Sequence, residues 1–252
     1  MLVTTSAVVL SAVRYSETSK IVKLATRSRG LISAIARGAL RPRSRFGAAL
    51  QLLSEGTAHL AVREHRDLQT MTAFDATSVH TGLAQSVGRY AAASALAEVM
   101  LRFAPSEPHP ELYDLLSASL GALSEAGPDE VEPLGLRLLW LLVSTLGFAP
   151  SLDACARDGR PIDPASDLAF SAGEGGALCP DCAAGATVAR LPLAAKADLL
   201  ALLDDRLPLP PLDPPNAAAH RRLLARYVRY HLAEGSELPG LAFWARLDRG
   251  AA

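Results

Sequence analysis

The sequence predicts an α+β protein with more than one domain: a small β-barrel or sandwich, a mainly helical remainder, and a short cysteine-containing insertion. Three observations predict this class. The first 76 residues form short aliphatic segments separated by turn-like breaks, the periodicity becomes helical after about residue 77, and all three cysteines fall within 151–187. A chain of 252 residues, half hydrophobic and a fifth charged, is long enough to bury such cores.

The N-terminal segments have the composition and alternation of strands. Turn-like breaks such as RYSETS, RSRG and RPRSRFG separate them. The predicted strands are 6–13, 20–26, 30–38, 49–56, 58–65 and 68–74. Five or six short strands of this kind predict a small barrel or sandwich over residues 1–76.

Residues 77–252 place their apolar side chains at helical spacing. The predicted helices are 78–103, 109–127, 129–148, 192–205, 216–235 and 238–247. The run LPLPPLDPP at 207–215 is predicted to be a stiff linker or an extended strap, because proline disrupts helices and central strands. Asn216 follows it as a candidate N-cap.

Composition also limits the cellular setting. No uninterrupted apolar run reaches the roughly 18 residues that cross a bilayer, so we expect no membrane partner. Three cysteines are an odd number, which argues against a disulfide framework and favours a reducing cytoplasm.

The formal net charge of −1 conceals an asymmetry along the chain. Residues 1–76 hold 11 Lys and Arg against 5 Asp and Glu, a net charge of +6. Residues 77–252 hold the other 14 against 21, a net charge of −7. A basic N-terminal part joined to an acidic remainder indicates an anionic partner for the first part, although uneven surface decoration gives the same count.

The densest run of cations lies within residues 14–45, where Glu17 is the single acid. Cations at such spacing can follow the phosphates of a nucleic acid, and the scarcity of aromatic residues favours backbone contacts over base readout. In an extended loop, the alternation in RPRSR would also direct three of the arginines to one side. The residues predicted to bind DNA, as one patch, are Lys20, Lys23, Arg27, Arg37, Arg41, Arg43 and Arg45.

The stretch GGALCPDC at 175–182 resembles half of a tetrahedral metal site. Zinc requires four ligands, and Cys155 is the only other cysteine of the chain. A structural zinc site, a site that has lost its metal, and a redox-active thiol pair are the alternatives. The thiol pair lacks the βαβ setting of a thioredoxin motif, and catalytic zinc lacks a nearby general base.

Four stretches of the sequence form a recognisable series. They are VRYSETSKIVKLATRSRG at 13–30, AIARGALRPRSR at 34–45, FSAGEGGALCPDC at 170–182, and a late helix with Arg222, Leu224, Tyr227, His231 and Leu232. Together they resemble the RecO family of recombination mediators. The first two stretches are the most specific part, and the resemblance covers nearly the whole chain.

The resemblance implies an N-terminal OB-fold barrel over residues 1–76 and a helical domain over 77–252, with a zinc-ribbon-like insertion at about 151–187. It implies binding of single- and double-stranded DNA and annealing of complementary strands. It also implies partnership with RecR and with single-strand-binding protein, so that RecA can load onto coated single strands.

The resemblance also supplies a register for the metal ligands. Zinc-bearing members carry a C-x-x-C pair upstream of the second pair, and here that position reads Cys155-Ala-Arg-Asp158. The implied set is Cys155, Asp158, Cys179 and Cys182, with Asp158 replacing a thiolate. Aspartate is an accepted zinc ligand, although a harder one than cysteine. Asp153 and Asp181 are less natural substitutes.

We therefore expect a cytoplasmic, nucleoid-associated DNA repair and recombination protein that is not an enzyme. The main alternative is an adaptor with a zinc ribbon that binds only proteins and whose basic patch is incidental. A zinc-dependent hydrolase is the second alternative. Replacing Arg41, Arg43 and Arg45 with alanine should leave an adaptor unaffected but impair a DNA-binding protein. Chelation should abolish the activity of a zinc-dependent hydrolase.

Overall fold

The computed structural model describes residues 1–46, 49–233 and 237–247, which belong to two compact units, Met1–Glu125 and Ala126–Ala252. Within the described residues, the first unit contains β1 (Leu2–Arg14), β2 (Lys20–Thr26), β3 (Gly30–Ala36), β4 (Glu55–Ala61), β5 (Leu68–Ser78), α1 (Val87–Phe103) and α2 (Pro110–Glu125). The predicted domain boundary between residues 76 and 77 stays a prediction. β5 ends at Ser78, and the first compact unit continues through α1 and α2 to Glu125.

The strands form a closed barrel in the order β1-β2-β3-β5-β4. All pairs are antiparallel except β3 with β5, which run parallel. β1 is long enough to pair with β4 over Leu2–Val8 and with β2 over Ala7–Arg14, and its register shifts between Val9 and Ser11. A bulge of this kind bends a strand, which allows β1 to close the barrel. The predicted OB-type barrel is confirmed.

The barrel core follows from strand alternation. Its buried side chains include Val9, Val22, Leu24, Leu60 and Met71. Their neighbours in sequence point to the opposite face of the sheet, because side chains alternate along a strand. Small residues such as alanine fill the remaining inward positions, which suits the narrow interior of a five-stranded barrel.

The predicted strand at 49–56 is wrong over most of its length, because residues 49–54 form an irregular segment with a turn before β4 begins at Glu55. Leu50 and Leu53 are buried all the same, and Leu53 has a left-handed backbone with φ of 68°. The Leu53 amide donates to the Val9 carbonyl at 2.8 Å, and the Val9 amide donates to Ser54 at 2.9 Å. The apolar side chains therefore enter the core from an irregular segment.

The predicted helix at 78–103 begins later than expected. Ser78 belongs to β5, a 3-10 helix covers Thr81–Gln85, and α1 starts at Val87. His80, just before the 3-10 helix, has a left-handed backbone with φ of 43°, and Ser86, just after it, is extended. These two non-helical residues separate the 3-10 helix from β5 and from α1.

A partly buried carboxylate fastens the barrel to α2. Glu55 accepts hydrogen bonds from Ser117 Oγ at 2.6 Å and Tyr113 Oη at 2.9 Å. The hydrogen bond with His80, followed by those of Ser117 and Tyr113, holds the pKa of Glu55 below its usual value despite burial. Burial, then the hydrogen bond to Glu55, raises the pKa of Tyr113.

The second unit is mainly helical. Its described elements are α3 (Val131–Thr145), β6 (Leu168–Ser171), β7 (Gly176–Leu178), α4 (Pro180–Ala183), β8 (Ala189–Leu191), α5 (Leu193–Leu203), α6 (Pro214–His231) and α7 (Pro239–Arg246). The three strands form a small sheet in the order β7-β6-β8. The predicted helical domain with a small cysteine-containing insertion is confirmed. No helix among the described residues is long and apolar enough to cross a membrane.

The start of α6 differs from the prediction. The N-cap is Asp213, whose carboxylate accepts from the Asn216 amide at 2.8 Å, so Asn216 is not the cap. Pro214 and Pro215 occupy the first helical turn, where the missing amide hydrogens cost little. The preceding residues form the extended part of the proline-rich run, and the Arg137 guanidinium donates to the Pro208 carbonyl at 2.8 Å.

Candidate nucleic-acid interface and metal centre

Six of the seven predicted DNA-binding residues are exposed cations, and five of these six form no salt bridge with a described residue. Lys23 lies on β2, and the other four lie on the segment that follows β3. These residues are Lys23, Arg37, Arg41, Arg43 and Arg45. None forms a salt bridge with any residue that the structure describes, although the Arg45 guanidinium lies 5.4 Å from the centroid of the Phe46 ring. Their charges are available to an external anion.

The other two predicted residues make intramolecular contacts. Lys20 Nζ donates to the Leu50 carbonyl at 2.9 Å, so it ties β2 to the irregular segment before β4. Arg27 binds Asp114 of α2 with two hydrogen bonds, Nε to Oδ1 at 2.8 Å and Nη2 to Oδ2 at 3.0 Å. These bonds lower the pKa of Asp114. Both side chains of the pair are about half exposed, so water screens the interaction.

The segment with the RPRSR sequence is not extended. The Arg41 amide donates to the Gly38 carbonyl at 3.1 Å, and the Ser44 amide donates to the Arg41 carbonyl at 3.0 Å. Consecutive turns therefore replace the predicted row of arginines on one side, and that interpretation of the alternation is wrong. The Leu40 amide donates to the Thr18 carbonyl at 2.9 Å, which places this segment beside the β1–β2 loop.

The cysteines and Asp158 lie on two knuckle-like turns of the second unit. In the first, the Cys155 amide donates to the Arg160 carbonyl at 2.7 Å and the Gly159 amide to the Cys155 carbonyl at 2.9 Å. Gly159 has φ of 73°, a left-handed conformation that favours glycine. In the second, Cys179 is the N-cap residue of α4, and Cys182 lies within that short helix.

The two turns bring all four predicted ligands together. The three sulfur atoms and one oxygen of Asp158 lie within 4.8 Å of one another. Asp158 Oδ2 lies 3.4 Å from Cys179 Sγ and 3.3 Å from Cys182 Sγ. Tetrahedral zinc places its ligand atoms about 3.6–3.8 Å apart, so three thiolates and one carboxylate at these separations fit a structural zinc ion.

Two family models match the chain. The one described as "Recombination protein O N terminal" matches residues 1–80, and "Recombination protein O C terminal" matches residues 84–237. The chain belongs to the RecO family of DNA repair proteins. The resemblance noted in the sequence is thus confirmed, and the boundary between the two matched regions falls just after β5.

Similar proteins agree with this RecO assignment. The chain is 40% identical over 232 residues to "DNA repair protein RecO" of Anaeromyxobacter sp. strain K, and the match covers 89% of each chain. It is 32% identical over 238 residues to the protein of that name from Rubrobacter xylanophilus, covering 93% of this chain and 92% of the other. For Symbiobacterium thermophilum, the identity is 36% over 200 residues and the coverage 78% of each.

The surroundings of this RecO chain's cysteine cluster suit a dication with four anionic ligands. Three thiolates, one carboxylate and Zn²⁺ carry a net charge of about −2. Arg160 donates to Asp158 Oδ2 and to Asp181 Oδ2 at 2.7 and 2.8 Å, and Arg157 donates to the Cys182 carbonyl at 3.3 Å. These two guanidinium groups offset the negative charge and orient the ligands, as outer-shell partners do at metal sites.

The pKa values of the cluster reflect its crowding. The hydrogen bond with Cys155, followed by those from Arg160, lowers the pKa of Asp158 well below its usual value. Burial, followed by hydrogen bonds with Cys179 and Asp158, raises the pKa of the Cys182 thiol to about 12. Metal binding must therefore displace protons from this group of thiols.

The predicted DNA-binding set leaves out two residues beside the basic patch. Arg66, on the β4–β5 loop, and Tyr15, on the β1–β2 loop, line the same groove as Arg37. Arg66 lies outside the densest cationic run, so it contributed only to the overall charge count. The OB topology brings these loops together, and no local pattern in the sequence reports that proximity.

Proposed function

We propose that this RecO family member binds single- and double-stranded DNA through the exposed cations of its barrel and anneals complementary strands. The observation that supports it most directly is the set of barrel cations without an intramolecular salt bridge, which are Lys23, Arg37, Arg41, Arg43 and Arg45. Unpaired cations can neutralise phosphates and release the counterions condensed on the DNA, and this release favours binding.

The proposed annealing mechanism is electrostatic. Two strands repel each other through their phosphates, and a surface that neutralises phosphates on both strands lowers that repulsion while the bases remain free to pair. This step makes or breaks no covalent bond, so we propose that the protein acts without being an enzyme.

We also propose that the protein works with RecR and with single-strand-binding protein to load RecA onto coated single strands. The relatives' name, DNA repair protein RecO, supports a role in DNA repair. We therefore propose that the protein acts in the cytoplasm, at the nucleoid. The net charge of −7 over residues 77–252 disfavours DNA there, so we assign the protein contacts to that part. The corresponding test measures the formation of RecA filaments on coated strands. We expect this protein to accelerate it only when RecR is present.

For the metal centre, we propose a structural zinc ion held by Cys155, Asp158, Cys179 and Cys182. The ion would fix the two knuckle-like turns to each other, with no substrate position among its ligands. The ligand separations, within 4.8 Å, support this proposal. DNA annealing should then survive removal of the metal as long as the barrel remains folded.

The experiment that tests the proposed function mixes complementary labelled oligonucleotides with the protein and follows annealing by energy transfer at several salt concentrations. We expect acceleration at low salt that fades as salt rises. Contacts with four to six phosphates give a slope of log K against log salt of about −3 to −4 on single strands. Absence of DNA binding at low salt would refute the proposal and favour an adaptor that binds only proteins.

A further inference from the structure

A groove of about 700 Å³ lies on the outside of the barrel. That volume is within the range of about 300–1,000 Å³ typical of small-ligand sites. Three parts of the barrel form it: the β1–β2 loop, the end of β3, and the β4–β5 loop with the start of β5. Its lining residues are Tyr15, Ser16, Ser19, Ile35, Arg37, Arg66, Asp67, Leu68 and Thr70.

Tyr15 is the aromatic residue that the barrel exposes. Its side chain is 62% exposed, whereas the two other aromatic residues of the strands and their connections, Phe46 and Phe74, are 2% and 3% exposed and belong to the core. Their burial removes them as stacking surfaces and leaves Tyr15 as the exposed aromatic residue among the described residues of the barrel. Tyr15 offers an aromatic face at the groove.

Ile35 and Thr70 line the groove from the strands, and Ile21 adjoins them on β2. Ile21 pairs with Ile35, and Ile35 pairs with Thr70, so these three side chains form one row across β2, β3 and β5. The row faces outward, because the next residues along the strands, Val22 and Met71, are in the core. An outward row of two isoleucines and one threonine near an aromatic ring offers partly apolar contacts to a planar base.

Cations lie beside this row. Arg37 and Arg66 line the groove itself, and neither forms a salt bridge with a residue that the structure describes. Lys23 lies one row away, paired with Ser33. Asp67 adds a carboxylate acceptor to the lining. The groove therefore combines phosphate-binding guanidinium groups with one group able to accept from a base amino group.

Local hydrogen bonds hold both loops in place. Gln69 fastens the β4–β5 loop: its Oε1 accepts from the Arg63 amide at 2.7 Å, and its Nε2 donates to the carbonyls of Arg63 and Arg66. In the β1–β2 loop, the Tyr15 amide donates to the Ser19 carbonyl at 3.0 Å. Loops already ordered in this way lose less conformational entropy when a ligand binds.

We propose that this groove binds one unpaired nucleobase of a single strand, stacked on Tyr15, while Arg37 and Arg66 contact the adjoining phosphates. The proposal rests on the DNA-binding function proposed above and makes it more specific. Because a paired base is already stacked inside its duplex, the groove distinguishes single strands from double strands, whereas the phosphate contacts do not.

The test measures binding by fluorescence anisotropy at one low salt concentration. The probes are a thymidine oligonucleotide, an abasic oligonucleotide of equal length, and a duplex. We expect Tyr15→Ala to weaken thymidine-strand binding about ten-fold, the size of one lost stacking contact, and to leave the other two probes nearly unchanged. Tyr15→Phe should retain binding. Tyr90→Ala is the matched control, since Tyr90 is 44% exposed on α1 and lies outside the groove.

The outcomes separate the two proposals. Wild-type protein that binds neither the thymidine strand nor the abasic strand would refute the DNA-binding function and the groove with it. Normal thymidine-strand binding by Tyr15→Ala, or an equal loss on the abasic strand, would overturn only the stacked base. Photocrosslinking of a 5-iodouracil strand to wild-type protein gives an independent readout, for which we expect the adduct on Tyr15.

Discussion

The exposed cations of the barrel and the buried cations of the helical unit have opposite roles. In the barrel, five of the seven predicted cations are exposed and form no salt bridge with a described residue. In the helical unit, Arg137, Lys196 and Arg221 are 8%, 5% and 4% exposed, and all three donate to groups of the same unit. The same residue types can thus bind an external anion or hold the fold together.

The buried cations fasten irregular backbone. Lys196 Nζ donates to the carbonyls of Asp163, Pro164 and Ser166 at 2.8, 3.1 and 3.2 Å. Arg137 binds the carbonyls of Ala201 and Pro208. Loops and proline-rich segments leave carbonyls without a secondary-structure partner, and a buried cation satisfies several of them at once. A charge count along the sequence does not distinguish these residues from DNA-binding ones.

The largest expected effect comes from breaking the buried Arg221–Glu132 ion pair. Arg221 Nη1 lies 2.9 and 2.8 Å from the two carboxylate oxygens of Glu132, and both side chains are nearly buried. Arg221→Ala should destabilise the helical unit by about 3–5 kcal/mol, because it removes the guanidinium facing a buried carboxylate. Thermal unfolding should show a midpoint lower by about 10 °C or more.

The neighbouring Arg222→Ala is the matched control for that change. Arg222 is exposed on the same helix, so its replacement should alter stability by less than about 0.5 kcal/mol. Adding Glu132→Leu to Arg221→Ala should recover part of the loss, since it removes the buried carboxylate itself. Equal stability of the two arginine variants would contradict the contrast between buried and exposed cations.

A second large effect concerns the metal ligands beside Arg157 and Arg160. If the wild-type protein carries the proposed zinc, Asp158→Ala should lose it, because three thiolates leave the tetrahedral set incomplete. Asp158→Cys should retain zinc against stronger chelators, since thiolate is the softer ligand. Zinc content by elemental analysis after dialysis against chelators of increasing affinity measures both effects.

Asp181→Ala serves as the control for the metal centre. Asp181 binds Arg160 but does not belong to the ligand cluster, so this variant should keep its zinc. A wild-type protein that folds fully and contains no zinc under these conditions would show that the cluster has lost its metal, which is the other alternative for this sequence.

A moderate effect is expected from the exposed cations. Replacing Arg41, Arg43 and Arg45 together with alanine should reduce the magnitude of the salt slope on single strands by about 2, because each lost phosphate contact removes about 0.7. Thermal stability should hardly change. The control replaces Arg222, Arg226 and Arg229, three exposed arginines of α6, and alters the net charge equally. An equal loss of DNA affinity in both triple variants would mean that net charge alone matters.

The sequence predicted the parts of this protein that local patterns determine. Alternation of side chains identified β1 and β2. The family resemblance, together with the C-x-x-D and C-x-x-C spacings, identified four predicted ligands that the fold brings together. The sequence did not predict that Leu50 enters the barrel core from a segment that forms no strand, because burial depends on which residues the barrel surrounds. Nor did it predict the turns within RPRSR, since several conformations suit that composition.

Contacts between residues far apart in sequence were the main source of error. Arg27 lies within the densest cationic run, yet it pairs with Asp114, which is 87 residues away. Tyr15, Arg37 and Arg66 meet in one groove only after β3 and β5 pair in parallel. Local composition indicates which residues are charged or aromatic, and the topology determines which of them remain available to a ligand.

The smallest expected effect tests Arg27, the barrel cation that resembles those of the helical unit. Arg27→Ala should leave the salt slope of DNA binding unchanged, because its guanidinium already has an intramolecular partner. It should lower the midpoint of thermal unfolding by a few degrees at most, since the exposed pair is screened by water.

The pH dependence of the Arg27 effect has a defined sign. The pKa of Asp114 is lowered in the folded protein, so the pair stabilises the fold above the ordinary aspartate pKa of about 3.9. The contribution disappears as the pH falls from there through the lowered folded value. The difference in midpoint between wild type and Arg27→Ala should therefore be present at pH 7 and vanish in strong acid. A reduced salt slope in Arg27→Ala would instead place Arg27 among the DNA contacts, which requires that phosphate displaces Asp114.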